Sequence, residues 1–208
     1  ALCDRCRGAM CQAVPHLRCP RTSHEPRRLV FDICGGKHVT LAPIRHPRGR
    51  FERLDRAMRA VTFNIHHGVN GDGRLNLESI AETIESLHAD VVGMQEVDRR
   101  FAERSGFVDQ ARMLSRRLGM RLAYGAALNL EPADQNELRH QYGNAILVRY
   151  PIVRRNNVLL PRTAAVEQRA LLRAQIDIGD RLLGVYTTHL EAHETGQRAL
   201  QAGAVATA

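Results

Sequence analysis

From residue 60 onward the apolar positions fall into regular patterns. Val61, Phe63 and Ile65 alternate with Thr62 and Asn64, the signature of a half-buried strand. Residues 66–74 carry Gly68, Gly71 and Gly73 and read as a loop. Asn76 can cap a helix in which Leu77, Ile80, Ala81, Ile84 and Leu87 share one face at 3.6-residue spacing, ending near Ala89 and Asp90. Val91, Val92, Gly93 and Met94 then form an apolar run of the length of a buried strand, which delivers Gln95 and Glu96 to its far end. A second amphipathic helix is expected over 108–118, with Ala111, Leu114 and Leu118 inward and Gly119 as its terminator. Further strands are expected over 121–124, 144–149, 171–178 and 182–188, separated by loops that carry Pro132, Pro151 and Pro161. Residues 193–205 read as a helix with Leu200, Ala204 and Val205 available for packing. A strand, a helix, a strand and a helix followed by several strands suits an α/β sandwich better than a doubly wound parallel sheet.

Residues 1–57 have no such pattern and read as an irregular extension, so the chain divides into 1–57 and a domain over 58–208. Charge and cysteine usage change at the same place. The net charge of +8 suggests a nucleic-acid footprint, but residues 1–57 hold 12 Lys/Arg against 5 Asp/Glu, whereas residues 58–208 hold 18 against 17. Cys3, Cys6, Cys11, Cys19 and Cys34 all lie upstream. Cys3 and Cys6 form a Cys-x-x-Cys pair with His16 and His24 nearby, which could hold zinc, but the later spacings do not repeat a knuckle. The composition change at Met58 marks that residue as near the natural start, with an upstream extension before it; a functional basic tail is the competing reading. No stretch approaches the roughly 20 apolar residues of a membrane span, and no signal peptide is visible, so a cytoplasmic location is the expectation. Arg-heavy composition with a single lysine, Lys37, points to a GC-rich, bacterial genome.

Candidate chemistry sits at strand ends, where a rigid sheet can position a side chain accurately. Asn64 points from the strand face opposite Phe63 and Ile65, just before the Gly-rich loop. Glu96 follows a fully apolar strand, where a buried carboxylate needs water or a cation. A hard divalent ion such as magnesium takes carboxylate oxygens and keeps several waters, which suits a site with few protein ligands. His189 ends the strand that runs through Thr187 and Thr188, and an imidazole there suits hydrogen bonding or proton exchange with a phosphoryl oxygen. Taken singly, each has a blander reading: a turn-capping Asn, a Glu paired with Arg99 or Arg100, a structural His.

Taken together, the wording around them is distinctive. Thr62-Phe-Asn-Ile-His-His-Gly68, Ala89-Asp-Val-Val-Gly-Met-Gln-Glu-Val-Asp-Arg99, Tyr142-Gly-Asn-Ala-Ile-Leu-Val-Arg-Tyr-Pro-Ile152 and Thr187-Thr-His-Leu190 resemble the endonuclease/exonuclease/phosphatase superfamily, in its motif order and over about 130 residues. That superfamily includes the pancreatic deoxyribonuclease, apurinic-site endonucleases, sphingomyelinases, inositol-polyphosphate phosphatases and deadenylases. The resemblance implies a four-layer α/β/β/α sandwich and a hydrolase of phosphodiester or phosphomonoester bonds using Mg2+ or Mn2+. It implies that Glu96 ligates the cation, that Asn64 holds the metal or phosphate end of the site, and that His189 contacts the scissile phosphate. Asn144 matches a position lining the substrate groove, and Arg169 one on a strand near the site; a structural Asn turn and an Arg paired with Glu167 stand beside these readings. The substrate could be a small phosphorylated molecule, a lipid head group or a nucleic acid, and near-neutral charge in 58–208 argues against tight non-specific DNA binding.

The family also carries a Gly-Asp-x-Asn motif and a Ser-Asp-His motif downstream of the His-containing strand, and neither is present. The expectation is therefore a sandwich incomplete at its C-terminus, with inner-face apolar surface uncovered: a fragment, poorly stable and inactive by itself, of a hydrolase. The alternative is a non-catalytic binding or scaffold protein with a zinc- or nucleic-acid-binding N-terminal tail.

Overall fold

The computed structural model describes residues 58–132, 138–179 and 181–208 in full, and the backbone of residues 28–31 and 39–44. The candidate zinc ligands among the cysteines and His16 and His24 lie outside the described residues. Two sheets carry the fold. One has the strand order β2 (Val39–Ile44), β3 (Met58–Asn64), β4 (Val91–Arg99), β6 (His140–Val148), β5 (Arg121–Leu130). The other runs β1 (Arg28–Phe31), β9 (Leu182–Thr188), β8 (Ala170–Asp177), β7 (Ile152–Leu159). β3 and β4 are parallel, joined by helix α1 (Leu77–Ser86), and β4, β6 and β5 are antiparallel.

Three apolar layers follow from the alternation along the strands. Val61, Phe63, Val92, Met94 and Leu147 pack under α1 and α2 (Gln110–Leu118) through Ile80, Ala81, Ile84, Ala111, Leu114 and Leu118. The opposite face, with Met58, Ala60, Val91, Ile146 and Val148, meets Leu172, Ala174, Ile176, Leu183 and Val185 of the second sheet. Leu160, Leu171 and Leu190 on the far side of that sheet pack against α3 (Thr195–Ala206) through Ala204 and Val205. Helix, sheet, sheet, helix is the four-layer order expected. Fully burying an aliphatic side chain contributes about 1.5–3 kcal/mol, so the inter-sheet layer is a principal source of stability. Its members are between 0% and 4% exposed.

The helix signals hold. The Asn76 side chain accepts from Ser79 N at 2.9 Å, and Gly119 ends α2 at φ 61, the left-handed conformation that closes a helix. Several strand-level expectations change. The upstream segment contributes two short strands instead of irregular chain throughout: β1 pairs parallel with β9, and β2 antiparallel with β3. Each borrows the ladder of a strand already formed, which local periodicity cannot reveal. Pro43 is tolerated in β2 because that strand lies at a sheet edge. β7 forms where a loop was expected; it is a mostly exposed edge strand whose polar run Arg154-Arg155-Asn156-Asn157 hides its period. β4 continues to Arg99 through a bulge between Met94 and Val97 instead of ending at Glu96. Leu200 is 53% exposed, because α3 docks through Gln197 and Gln201, whose side chains bond the backbone of Thr163 and Glu191.

Candidate active site

The bulge decides where Glu96 points. The register shift leaves Glu96 at φ 56, a left-handed conformation costing a non-glycine residue roughly 1–3 kcal/mol. Its carboxylate is turned toward the end of β3, where the Asn64 amide donates to Oε1 at 2.6 Å. Asn64 is fixed in that orientation because its Oδ1 accepts the backbone N–H of His66 at 3.0 Å. It is 2% exposed and leaves the strand on the inter-sheet side, opposite Phe63 and Ile65.

His189 arrives from the other sheet, immediately after β9. Its Nδ1 lies 3.9 Å from Glu96 Oε1, and both ring nitrogens are buried without a hydrogen-bond partner. Burial, reinforced by the nearby Arg169 guanidinium, lowers its pKa to about 4, so the imidazole is neutral at physiological pH. Arg169 precedes β8. It pairs with Glu167 at 2.7 Å and stands 3.7 Å from Glu191, while its Nε is buried and unpartnered. Asn144, on β6, lines the same cleft, but its amide donates to the Ala170 carbonyl at 2.9 Å and so ties the two sheets together. Glu96, Tyr142, Asn144, Arg169 and His189 thus border one cleft at the seam between the sheets.

The seam itself is hydrogen-bonded. Gln95, fully buried, donates to Thr62 Oγ1 at 3.2 Å and to Thr187 Oγ1 at 2.8 Å, linking β3, β4 and β9 directly behind the cleft. The three motifs are therefore held by their neighbours as well as by their own strands.

Sequence reasoning assigned no role to His66, His67, Asp98, Arg104 or Tyr142, all of which stand beside Glu96 or behind it. His67 Nε2 lies 3.5 Å from Glu96 Oε2, and His66, His67 and Glu96 place one ligand atom each within 4.8 Å of one another. Asp98 is fully buried and receives both Nε and Nη2 of Arg104 at 3.1 Å. Tyr142 is tucked against the His67 ring, and burial, helped by Glu96, holds its phenol well above the ordinary tyrosine range. The missed signal was the doublet His66-His67 next to Asn64, together with Asp98 two residues beyond Glu96. A carboxylate, imidazole nitrogens and a neighbouring amide make a donor set that fits a divalent cation.

Residues 55–208 match the family described as "PGAP2IP, C-terminal nuclease-like domain", and the chain belongs to that family, within the endonuclease/exonuclease/phosphatase superfamily. It is 26% identical over 136 residues to protein cwh43 of Schizosaccharomyces pombe, a match covering 65% of this chain and 13% of that protein. The fold superimposes on an endonuclease/exonuclease/phosphatase from Beutenbergia cavernae with a TM-score of 0.61 at 24% identity, covering 71% of this chain and 43% of that one. An endonuclease/exonuclease/phosphatase family protein from Leptotrichia buccalis gives 0.55 at 16% identity, covering 73% and 62%. The chain thus spans a small part of the fungal protein and less than two thirds of either solved structure. Among the described residues, no helix is long and apolar enough to cross a membrane.

Proposed function

We propose that this domain belongs to a divalent-metal-dependent hydrolase of phosphodiester or phosphomonoester bonds, with Mg2+ or Mn2+ held at Glu96. The observation that carries this reading is the meeting of Glu96 with Asn64 at 2.6 Å and with His189 at 3.9 Å, groups from three strands of two sheets, at the inter-sheet seam. A bound cation would polarise a phosphoryl oxygen and neutralise developing charge. Asn64 orients the Glu96 carboxylate and restrains its rotation. Neutral His189 offers one N–H to a phosphoryl oxygen and needs no counter-ion to stay buried. Arg169 supplies fixed positive charge beside it, and Asn144 shapes the groove wall. Near-neutral charge over 58–208 favours a small phosphorylated molecule or a lipid head group at least as much as nucleic acid.

In this reading residues 1–57 are an extension to the domain over 58–208. In the same reading Glu96 supplies the metal carboxylate, and Asn64, His189 and Arg169 the contacts around the phosphate. The test is hydrolysis of a chromogenic phosphate bis-ester with and without Mg2+, comparing this chain with one extended through the next hundred or so residues of its gene. Activity in the extended chain that disappears in Glu96→Gln supports the reading. Absence of turnover in both chains favours a binding or scaffold protein.

A further inference from the structure

We propose that His66 and His67 join Glu96 as direct ligands of the cation, giving a mixed nitrogen and oxygen site that prefers Mn2+ and similar transition ions to Mg2+. The inference rests on the reading that Glu96 holds a metal, and extends it to the composition of the ligand shell.

Ligand spacing is the first observation. Atoms sharing an ion at about 2.1 Å each lie roughly 3 to 4 Å apart. The His67 Nε2 to Glu96 Oε2 separation of 3.5 Å is already in that range. The full set of three, His66, His67 and Glu96, places one ligand atom each within 4.8 Å of the others.

Backbone conformation is the second. His66, His67 and Glu96 have φ of 48, 56 and 56, so three non-glycine residues in one small region sit in a conformation that side chains rarely adopt. Strain of this kind persists where the surroundings impose it, and it clusters at ligand clamps. Here the surroundings are specific. Gln110 donates from its amide to the His67 carbonyl, and its Oε1 accepts Asp98 N at 2.9 Å, which bridges the histidine loop to β4. Gly68, at φ 73, permits the close approach: a Cβ there would stand 2.9 Å from Gln110 Nε2 and 2.7 Å from Leu77.

The third observation is what lies behind His67. Its Nδ1 is buried without a hydrogen-bond partner and faces Asp98 Oδ1 at 4.0 Å, while Nε2 faces Glu96. Metal-ligating histidines commonly donate their second ring nitrogen to a carboxylate, which fixes the ring and raises its basicity. Asp98, fully buried and held by Arg104, is placed to accept that proton once Nε2 engages an ion. Imidazole suits Fe2+, Ni2+ and Zn2+ best; Mn2+ stands closer to Mg2+ in favouring oxygen, but as the softer ion it accepts an imidazole nitrogen more readily than Mg2+ does.

Mn2+ is the probe. Its binding to the 208-residue chain is measured by calorimetry, and electron spin echo spectroscopy of the bound ion reads nitrogen coupling directly, independent of any turnover. The variants are His66→Asn and His67→Asn, singly and together, because Asn tolerates left-handed backbone and the loop keeps its fold. The expected result is nitrogen coupling in the parent chain that is lost in the double variant, with Mn2+ affinity down by about 10- to 100-fold and Mg2+ affinity nearly unchanged. Mn2+ that binds in a Glu96-dependent way without nitrogen coupling, or with coupling that survives the double substitution, overturns the inference and leaves the hydrolase reading intact. If Mn2+ does not bind at all, both fail.

Discussion

Glu96 pays for its position with a left-handed backbone in mid-strand, and its side chain is the one carboxylate that both Asn64 and His67 approach. Glu96→Gln preserves its size and removes its charge. In an active extended chain the expected loss is about 10²-fold or more, the scale of deleting one electrostatic stabiliser of the reacting centre. Residual metal-dependent activity close to the parent level would place the cation elsewhere. His189 gives a prediction of different kind. In metal-free protein its folded pKa is about 4 against an ordinary value of 6.5, so between those pH values the unfolded chain binds more protons than the folded one. Stability therefore rises with pH across that window and is lost as pH falls from about 6.5 toward 4, by at most about 3 kcal/mol. Urea unfolding in EDTA between pH 4.5 and 7 should show this slope, and His189→Asn should flatten it. An equal slope in the variant would assign the effect to other groups.

At the scale of elements, legibility followed the strength of local signals. α1 and α2 were readable because the Asn76 cap, the apolar stripe and Gly119 are all local, and β9 because Leu182–Thr188 is bounded by a turn. β7 was not, because its order comes from seven residue partners on β8 and not from its own polar sequence. Asn64, Glu96 and His189 were legible through their motifs, but the bulge at Glu96 depends on cross-strand register, and so the contacts of His66 and His67 with it could not be read from spacing. Two glycines test how the elements are built. At Gly119 a Cβ meets nothing within 4 Å, so Gly119→Ala isolates the left-handed backbone term, about 1 kcal/mol. At Gly143 a Cβ would lie 2.1 Å from the Gly125 carbonyl oxygen and 2.8 Å from Ala127 N, both backbone atoms that cannot turn away. Gly143→Ala should destabilise by about 3 kcal/mol and disturb the β5–β6 pairing. Equal effects in thermal unfolding of the two variants would contradict this distinction.

For the whole molecule, the site is a seam between two sheets, closed behind by Gln95 bridging Thr62 and Thr187 and beside it by Asn144 reaching Ala170. Unfolding separates Glu96 and Asn64 on one sheet from His189 and Arg169 on the other, so a cation held here binds the folded chain far better than the unfolded one. That difference appears as stability whether or not the chain turns over substrate. At a free Mn2+ concentration 100 times the dissociation constant, mass action adds about 2.7 kcal/mol. For a domain of this size each kcal/mol shifts the melting temperature by about 2–4 °C, so a rise of roughly 5 to 10 °C is expected. The rise should scale with the logarithm of Mn2+ concentration above the dissociation constant, vanish with EDTA and be absent in Glu96→Gln. A melting temperature insensitive to Mn2+ and Mg2+ at millimolar concentration would mean that the Asn64, Glu96 and His189 cleft holds no cation in this chain. A rise that survives Glu96→Gln would place the cation at residues outside the cleft.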